Sequence, residues 1–195
     1  MNQETRNYMA ERNLFDGDEV VVQKHILDSG ERRQFESGAV RDIQEGKGRC
    51  DLLPLGEIAR YFELYDQLTD DTRDFIVPGC ICRFMVNRDE EFIYAAIKSF
   101  IGRAYNHNDY EAIMELSKHY EEGAHKYAER NWEKGINLHC YVDSAMRHYF
   151  KYLAGWDDEP HDRAVLWNLF CLLWTYHYKP ELDDLPRYDD DKKGE

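Results

Sequence analysis

Apolar positions recur at helical spacing from about residue 55 onward, and each stripe predicts one element. Ile58, Tyr61, Phe62 and Tyr65 share a face of a first helix, which Asp70-Asp71 should break. Pro78-Gly79 should break the segment after it. Phe92, Ile93, Ala96, Ile97, Phe100 and Ile101 mark another helix over Glu91–Tyr105. Asn106-His-Asn-Asp109 reads as a loop ending in an N-cap. From Tyr110 to about Arg130, the residues Ile113, Leu116, Tyr120, Ala124 and Tyr127 form a stripe. Val142, Met146, Tyr149 and Leu153 form the next, over Leu138–Ala154, with Gly155 as its C′ residue. Pro160 suits the first turn of a last helix, capped by Asp158 or Glu159. That helix, Val165 to Tyr178, is apolar nearly all round and must be central. The pattern predicts an all-α fold: a single helical bundle over residues 37–180, with the helices of 55–105 covering its core. A polar, loosely structured N-terminal arm, 1–36, precedes it and contains one strand-like patch, Val20-Val21-Val22. An acidic tail, 181–195, follows and should be solvated.

Length and charge narrow the function. A chain of 195 residues can bury one sizeable core. With 39 Asp and Glu against 25 Lys and Arg, its formal charge is −14. Such a surface repels nucleic acid polymers and anionic membranes. It leaves nucleotides open as small ligands, because acidic clusters hold divalent metals that in turn bind phosphates. The five cysteines are scattered, and Cys80-Ile-Cys82 lacks the two-residue zinc spacer and a second pair. A reduced, cytoplasmic chain is the reading, with no signal peptide at Met1 and no apolar run of membrane-spanning length.

Candidate chemistry gathers between His119 and Asn168. Glu121, Glu122 and Asp143 are hard carboxylate donors of the kind Mg2+ or Mn2+ needs. The plain alternative is three surface acids, with Asp143 and Arg147 forming an i,i+4 ion pair. Their company, Lys126, Arg130 and Lys134, favours the metal. Gly123 sits in mid-helix, where glycine costs about 1 kcal/mol against alanine, so a ligand or another helix should approach there. Upstream, Gly46-Lys47-Gly48-Arg49, with Arg41 nearby, forms a cationic loop whose backbone could meet a phosphate. It lacks P-loop spacing, and taken alone Gly-Lys-Gly is more often a turn. Asn168, in the middle of an apolar helix, must find partners for its amide, in a structural bridge or at a ligand. His161, seven residues before it, shares its face and either caps the helix or contacts phosphate. His148, packed among tyrosines, reads as structural. Trp132, beside Asn131, is either a plug over the core or a stacking surface for a base.

Several of these residues lie in motifs: Ser37-Gly-Ala-x-Arg-Asp42, Gly46-Lys-Gly-Arg-x-Asp-Leu-Leu-Pro54, Tyr120-Glu-x-Gly-Ala-x-Lys-Tyr127, Arg130-Asn-Trp-Glu-Lys-Gly135, Asp143-Ser-x-x-Arg-His148, and His161 through Asn168. In that order they resemble the dATP/dGTP diphosphohydrolase family of phages and bacterial genomes, related to the MazG-like all-α nucleotide pyrophosphohydrolases. The resemblance covers 37–54 and 119–168, and makes 55–105 a helical insertion. It implies Glu121 and Asp143 as catalytic metal ligands. It also implies phosphate contacts from Lys47, Arg49, Lys126, Arg130 and Arg147. The MazG-like Glu-Glu-x-x-Glu becomes Glu121-Glu122-x-x-His125 here, and Glu-x-x-Asp is reduced to Asp143.

The resulting expectation is a Mg2+- or Mn2+-dependent hydrolase that converts purine deoxynucleoside triphosphates to monophosphate and pyrophosphate. Its substrate contacts would be Lys47, Arg49, Lys126, Arg130, Asn131, Trp132, Arg147, His161 and Asn168, and its assembly a homo-oligomer, dimer or tetramer. Two alternatives stand beside it. One is an HD-type phosphohydrolase, suggested by the His161-Asp162 dipeptide. The other is a non-enzymatic acidic interaction protein.

Overall fold

The computed structural model describes residues 32–42, 46–68, 71, 73 and 76–186. The Val20–Val22 patch and the Asp189–Asp191 run lie outside the described residues. The chain divides into two compact units, 1–44 and 45–195. In the first, β1 (Arg32–Gln34) and β2 (Val40–Asp42) pair antiparallel, with Arg33 opposite Arg41. Gly38, at φ +84°, closes the turn between them and donates its N–H to the Phe35 carbonyl. The hairpin carries the Ser37–Asp42 motif.

The second unit is all-α among its described residues. Its helices are α1 (Leu55–Leu64), α2 (Ile76–Asn87), α3 (Glu91–Tyr105), α4 (Asp109–Lys126), α5 (Leu138–Leu153) and α6 (His161–Tyr178). As its composition requires, α6 is central. Ala164, Val165, Leu166, Leu169, Phe170, Cys171, Leu172 and Leu173 are all buried, and α6 touches α1, α3, α4 and α5. The α5–α6 pair is the most extensive contact, with α2–α3 second. No described helix is long and apolar enough to cross a membrane, and the five cysteines are free.

Several local expectations need correction. Pro78 and Gly79 do not break a helix but lie in the first turn of α2, where N–H groups lack intrahelical acceptors anyway. Instead of covering the core, α3 lies within it, and every residue from Ile93 to Gly102 is buried. The cap of α4 is Asn108, whose Oδ1 accepts from the Glu111 N–H at 3.2 Å. That frees Asp109 to turn inward and accept from the Tyr61 and Tyr65 hydroxyls at 2.5 and 3.1 Å. Gly155 does close α5 in the expected way. At φ +72° it donates to the Tyr152 carbonyl while Trp156 donates to that of Lys151, a Schellman pair. Neither Asp158 nor Glu159 caps α6, and Pro160 stands just outside it. The tail begins pinned rather than solvated. Asp183 pairs with Arg88 at 2.8 Å, Asp184 accepts from Asn137 Nδ2 and the His139 N–H, and Leu185 is buried.

Charges enter this core only in networks. Lys98, 7 % exposed, donates to the Tyr65 and Leu68 carbonyls at the end of α1. Glu57, 3 % exposed, accepts from Tyr94 Oη at 2.6 Å and faces His177 Nδ1 at 3.0 Å. His177 Nε2 meets Glu90, which also pairs with Arg60. Hydrogen bonding to Glu57, and then to Glu90, raises the His177 pKa above its ordinary 6.5. Because the folded-state value is the higher one, protonated His177 stabilises the fold. That contribution is complete below about pH 6.5 and is lost as pH rises through the raised value. The melting-temperature gap between the unsubstituted protein and His177→Gln should therefore be widest in mild acid and narrow above neutrality. A gap independent of pH between 5 and 9 would contradict the charge pairing.

Candidate active site

Three helices meet around a cavity of about 350 Å³, at the small end of the roughly 300–1,000 Å³ typical of ligand pockets. From α4 come His119, Glu122, Gly123 and Lys126, a single stripe at i, i+3, i+4 and i+7. From α5 come Ser144 and His148, four apart, and from α6 come Ala164, Trp167 and Asn168. Glu159 reaches in from the loop between α5 and α6. A Cβ built at Gly123 would have no neighbour within 4 Å, so no other helix approaches there and the backbone faces the open cavity.

The walls are electrically mixed. Arg163 bridges Glu115 and Glu122 at 2.5 and 3.2 Å. His119 Nδ1 is buried without a hydrogen-bond partner among the described residues, and burial pushes its imidazole below the ordinary histidine value. His148 is likewise shifted down by burial. Its Nδ1 stands 3.0 Å from His161 Nδ1, and His161 Nε2 stands 2.8 Å from Asp158 Oδ1. Lys151 holds the other Asp158 oxygen at 2.8 Å and, with His161, keeps that carboxyl near pKa 2. Asn168, 4 % exposed, donates to the Ala164 carbonyl at 2.7 Å within its own helix and lines the cavity. Both possibilities left open for Asn168 therefore have a physical counterpart.

The remaining candidates divide among three places. Glu121, 6 % exposed, turns away from Glu122 toward the upstream loop, where its two oxygens accept from the Gly46 and Gly48 N–H groups at 3.2 and 2.8 Å. Gly48 has no room for a side chain: at φ +84°, a Cβ would fall 2.0 Å from Ser117 Oγ. Lys47 lies between these glycines, exposed. Arg49 reaches Asp51 and Glu129, and Arg130 reaches Glu133 and the Asp51 carbonyl. The cationic loop is thus fastened to the turn after α4. Arg130, Asn131 and Trp132 border a smaller cleft of about 40 Å³ that shares Gly123, Tyr127 and Trp167 with the main cavity. Trp132, 8 % exposed and edge-on to Tyr120 and Trp174, plugs the core. Asp143 and Arg147 pair at 2.9 Å on the exposed face of α5 and do not line the cavity.

Residues 104–185 match the family model described as dATP/dGTP diphosphohydrolase, N-terminal. That stretch is similar to this family. It contains every residue lining the main cavity and ends at Leu185, where the pinned tail is still buried. The diphosphohydrolase match does not extend to 37–54, the other part of the chain with a resemblance. No curated protein and no solved structure matches the chain.

Within the matched stretch, sequence reasoning passed over His119, Ser144 and Glu159 as site residues and took His148 for structural. One signal was available. Ser144 and His148 are four apart, one helical turn, and His161 opens the next helix, so a short connection brings the two histidines together. The glycine clasp on Glu121 yields a test. Glu121→Gln should cost about 1.5–3 kcal/mol, because the charge is lost and the amide nitrogen would face one of the two N–H donors that now meet carboxylate oxygens. Gly48→Ala should cost about 1–3 kcal/mol through clash and backbone strain. Urea unfolding in the presence of a chelator measures both. Midpoints equal to that of the unsubstituted protein would show that the clasp contributes nothing to the fold.

Proposed function

We propose that the chain hydrolyses purine deoxynucleoside triphosphates, dATP and dGTP, to the monophosphate and pyrophosphate in the α4–α5–α6 cavity, with a divalent cation. One observation carries the reading: the main cavity is walled entirely by the diphosphohydrolase stretch and brings a lysine, carboxylates and imidazoles together. Lys126 supplies a point charge suited to a triphosphate. The buried His119 remains neutral, so one of its ring nitrogens can accept a proton from an attacking water. The bond between the α-phosphorus and its bridging oxygen then breaks, and pyrophosphate leaves with the electron pair. Asn168 and Ser144 offer polar groups for orienting the substrate.

Mg2+ or Mn2+, when bound, neutralises phosphate charge and acidifies water. Glu121, Glu122 and Asp143 do not converge as a set of three: Glu122 alone of them faces the cavity, Glu121 is held by the glycine loop and Asp143 by Arg147. A homo-oligomer remains part of the proposal, since Phe150 and Trp156 are more than half exposed at the end of α5 and just beyond it. The HD-type alternative needs His161 and Asp162 at one metal. Asp162 instead accepts from Tyr105 Oη at 2.6 Å, while His161 faces His148 and Asp158.

The test is product analysis with all four deoxynucleoside triphosphates in Mg2+ and in Mn2+. Expected are monophosphate and pyrophosphate, with dATP and dGTP turned over faster than the pyrimidines. Release of inorganic triphosphate would favour the HD alternative, and no turnover would favour a binding role. Lys126→Ala should lower kcat/KM for dATP about ten- to a hundredfold, the loss of one charge-assisted contact of about 1.5–3 kcal/mol. Unchanged kcat/KM would remove Lys126 from the phosphate site.

A further inference from the structure

The geometry points to a divalent transition-metal site in the cavity wall, made by His148 Nδ1, His161 Nδ1 and a Glu159 carboxylate oxygen. These three atoms all lie within 4.8 Å of one another, the one such three-residue donor group among the described residues. The separations are 3.0 Å between the two nitrogens, and 3.6 and 3.7 Å from Glu159 Oε1 to His148 and His161. Ligands about 2.0–2.1 Å from a tetrahedral zinc stand roughly 3.3–3.4 Å apart, inside the span of these distances. The rings are 8 % and 2 % exposed, so both nitrogens are held in place by packing rather than displayed on a surface.

The groups behind the donors favour coordination too. Asp158 Oδ1 accepts from His161 Nε2–H, which leaves the lone pair of His161 on Nδ1, pointed toward His148 and Glu159. Lys151 anchors that carboxylate from the far side. With His161 Nδ1 an acceptor, the hydrogen in the 3.0 Å contact belongs to His148 Nδ1. Metal binding moves it to His148 Nε2, a change of tautomer with no net proton release, and frees a second lone pair. His148 and Glu159 line the cavity, so the fourth position opens toward it, as a catalytic site requires. Two imidazoles and one carboxylate favour Zn2+, Co2+, Mn2+ or Fe2+ over Mg2+. The role of this ion in catalysis rests on the function proposed above; its binding does not.

Chelator-stripped full-length chain, titrated with Co2+, tests the site by visible absorption and calorimetry. One equivalent should bind with the d–d bands of a nitrogen- and oxygen-ligated ion, be displaced by Zn2+ and not by equimolar Mg2+, and raise the melting temperature. Glu159→Gln, a change at a half-exposed side chain, and His148→Asn should each weaken Co2+ binding at least tenfold. Asp158→Asn should weaken it about ten- to a hundredfold. Thiolate charge-transfer bands would mark the exposed Cys50 or Cys82 instead and overturn the proposal. So would Co2+ binding unaffected by Glu159→Gln, or no binding at all, which would leave the histidine pair as a structural hydrogen bond between α5 and α6. Triphosphate hydrolysis that persists with Mg2+ alone in Glu159→Gln would remove this ion from catalysis and spare the function. Tight Co2+ binding without any hydrolysis would spare the site and sink the function.

Discussion

Because α6 is apolar on every side, it can be stable only when surrounded, and the other helices of the larger unit are arranged by that requirement. The cost of enclosing such a helix falls on its few polar residues. Each must find a partner inside the unit or leave a desolvated group unpaired, at about 1–3 kcal/mol. His161 finds His148 and Asp158, Asn168 turns back to the Ala164 carbonyl, and Thr175 reaches Tyr141 Oη. The candidate site lies beside the first two, along the part of α6 that faces both α4 and α5. There Gly123 presents bare backbone to open space, with nothing within 4 Å of where a Cβ would stand.

A second constraint runs along α4. Glu121 and Glu122 are neighbours in sequence but about 100° apart around a helix of 3.6 residues per turn, so they cannot serve one site equally. Glu122 takes the cavity and Glu121 the glycine loop. The loop's backbone amides, which the sequence suggests for a phosphate, meet a carboxylate of the chain itself. An anion is bound there in either case, and the physical chemistry of the glycines is the same. What differs is its consequence: the clasp joins residue 46 to residue 121 and, through Arg49–Glu129 and Arg130–Asp51, fastens the loop to the turn beyond α4.

The distribution of charge follows the same logic at the other end of the unit. Lys98, Glu57 and His177 are buried or half-buried, yet each meets an opposite charge, a hydroxyl or a backbone carbonyl. These networks hold α1, α3 and α6 in register, leaving the cavity end free for groups with incomplete pairing, such as His119 Nδ1. Unpaired buried polar atoms are costly, so finding one at a cavity is informative in a way that an exposed acid is not.

Local pattern determined α1, α3, α4, α5 and α6, the centrality of α6, the closing role of Gly155 and the burial of Asn168, but not α2, where Pro78-Gly79 read as a break. These follow from local spacing and from what an apolar surface must do in water. The concentration of chemistry between residues 119 and 168 was equally legible, as was the resemblance of that stretch to a family. Pairings between elements were not. Nothing local says that Asp109 turns inward to two tyrosines, that Glu121 belongs to a loop 73 residues away, or that Asp183 meets Arg88. Nor does it say that His148 and His161 share one contact while Asp143 stays outside. A helix specifies which side chains share its face. Which face turns toward which neighbour is settled only when all the helices pack at once, because every polar group buried by that packing must be satisfied by whatever it then meets.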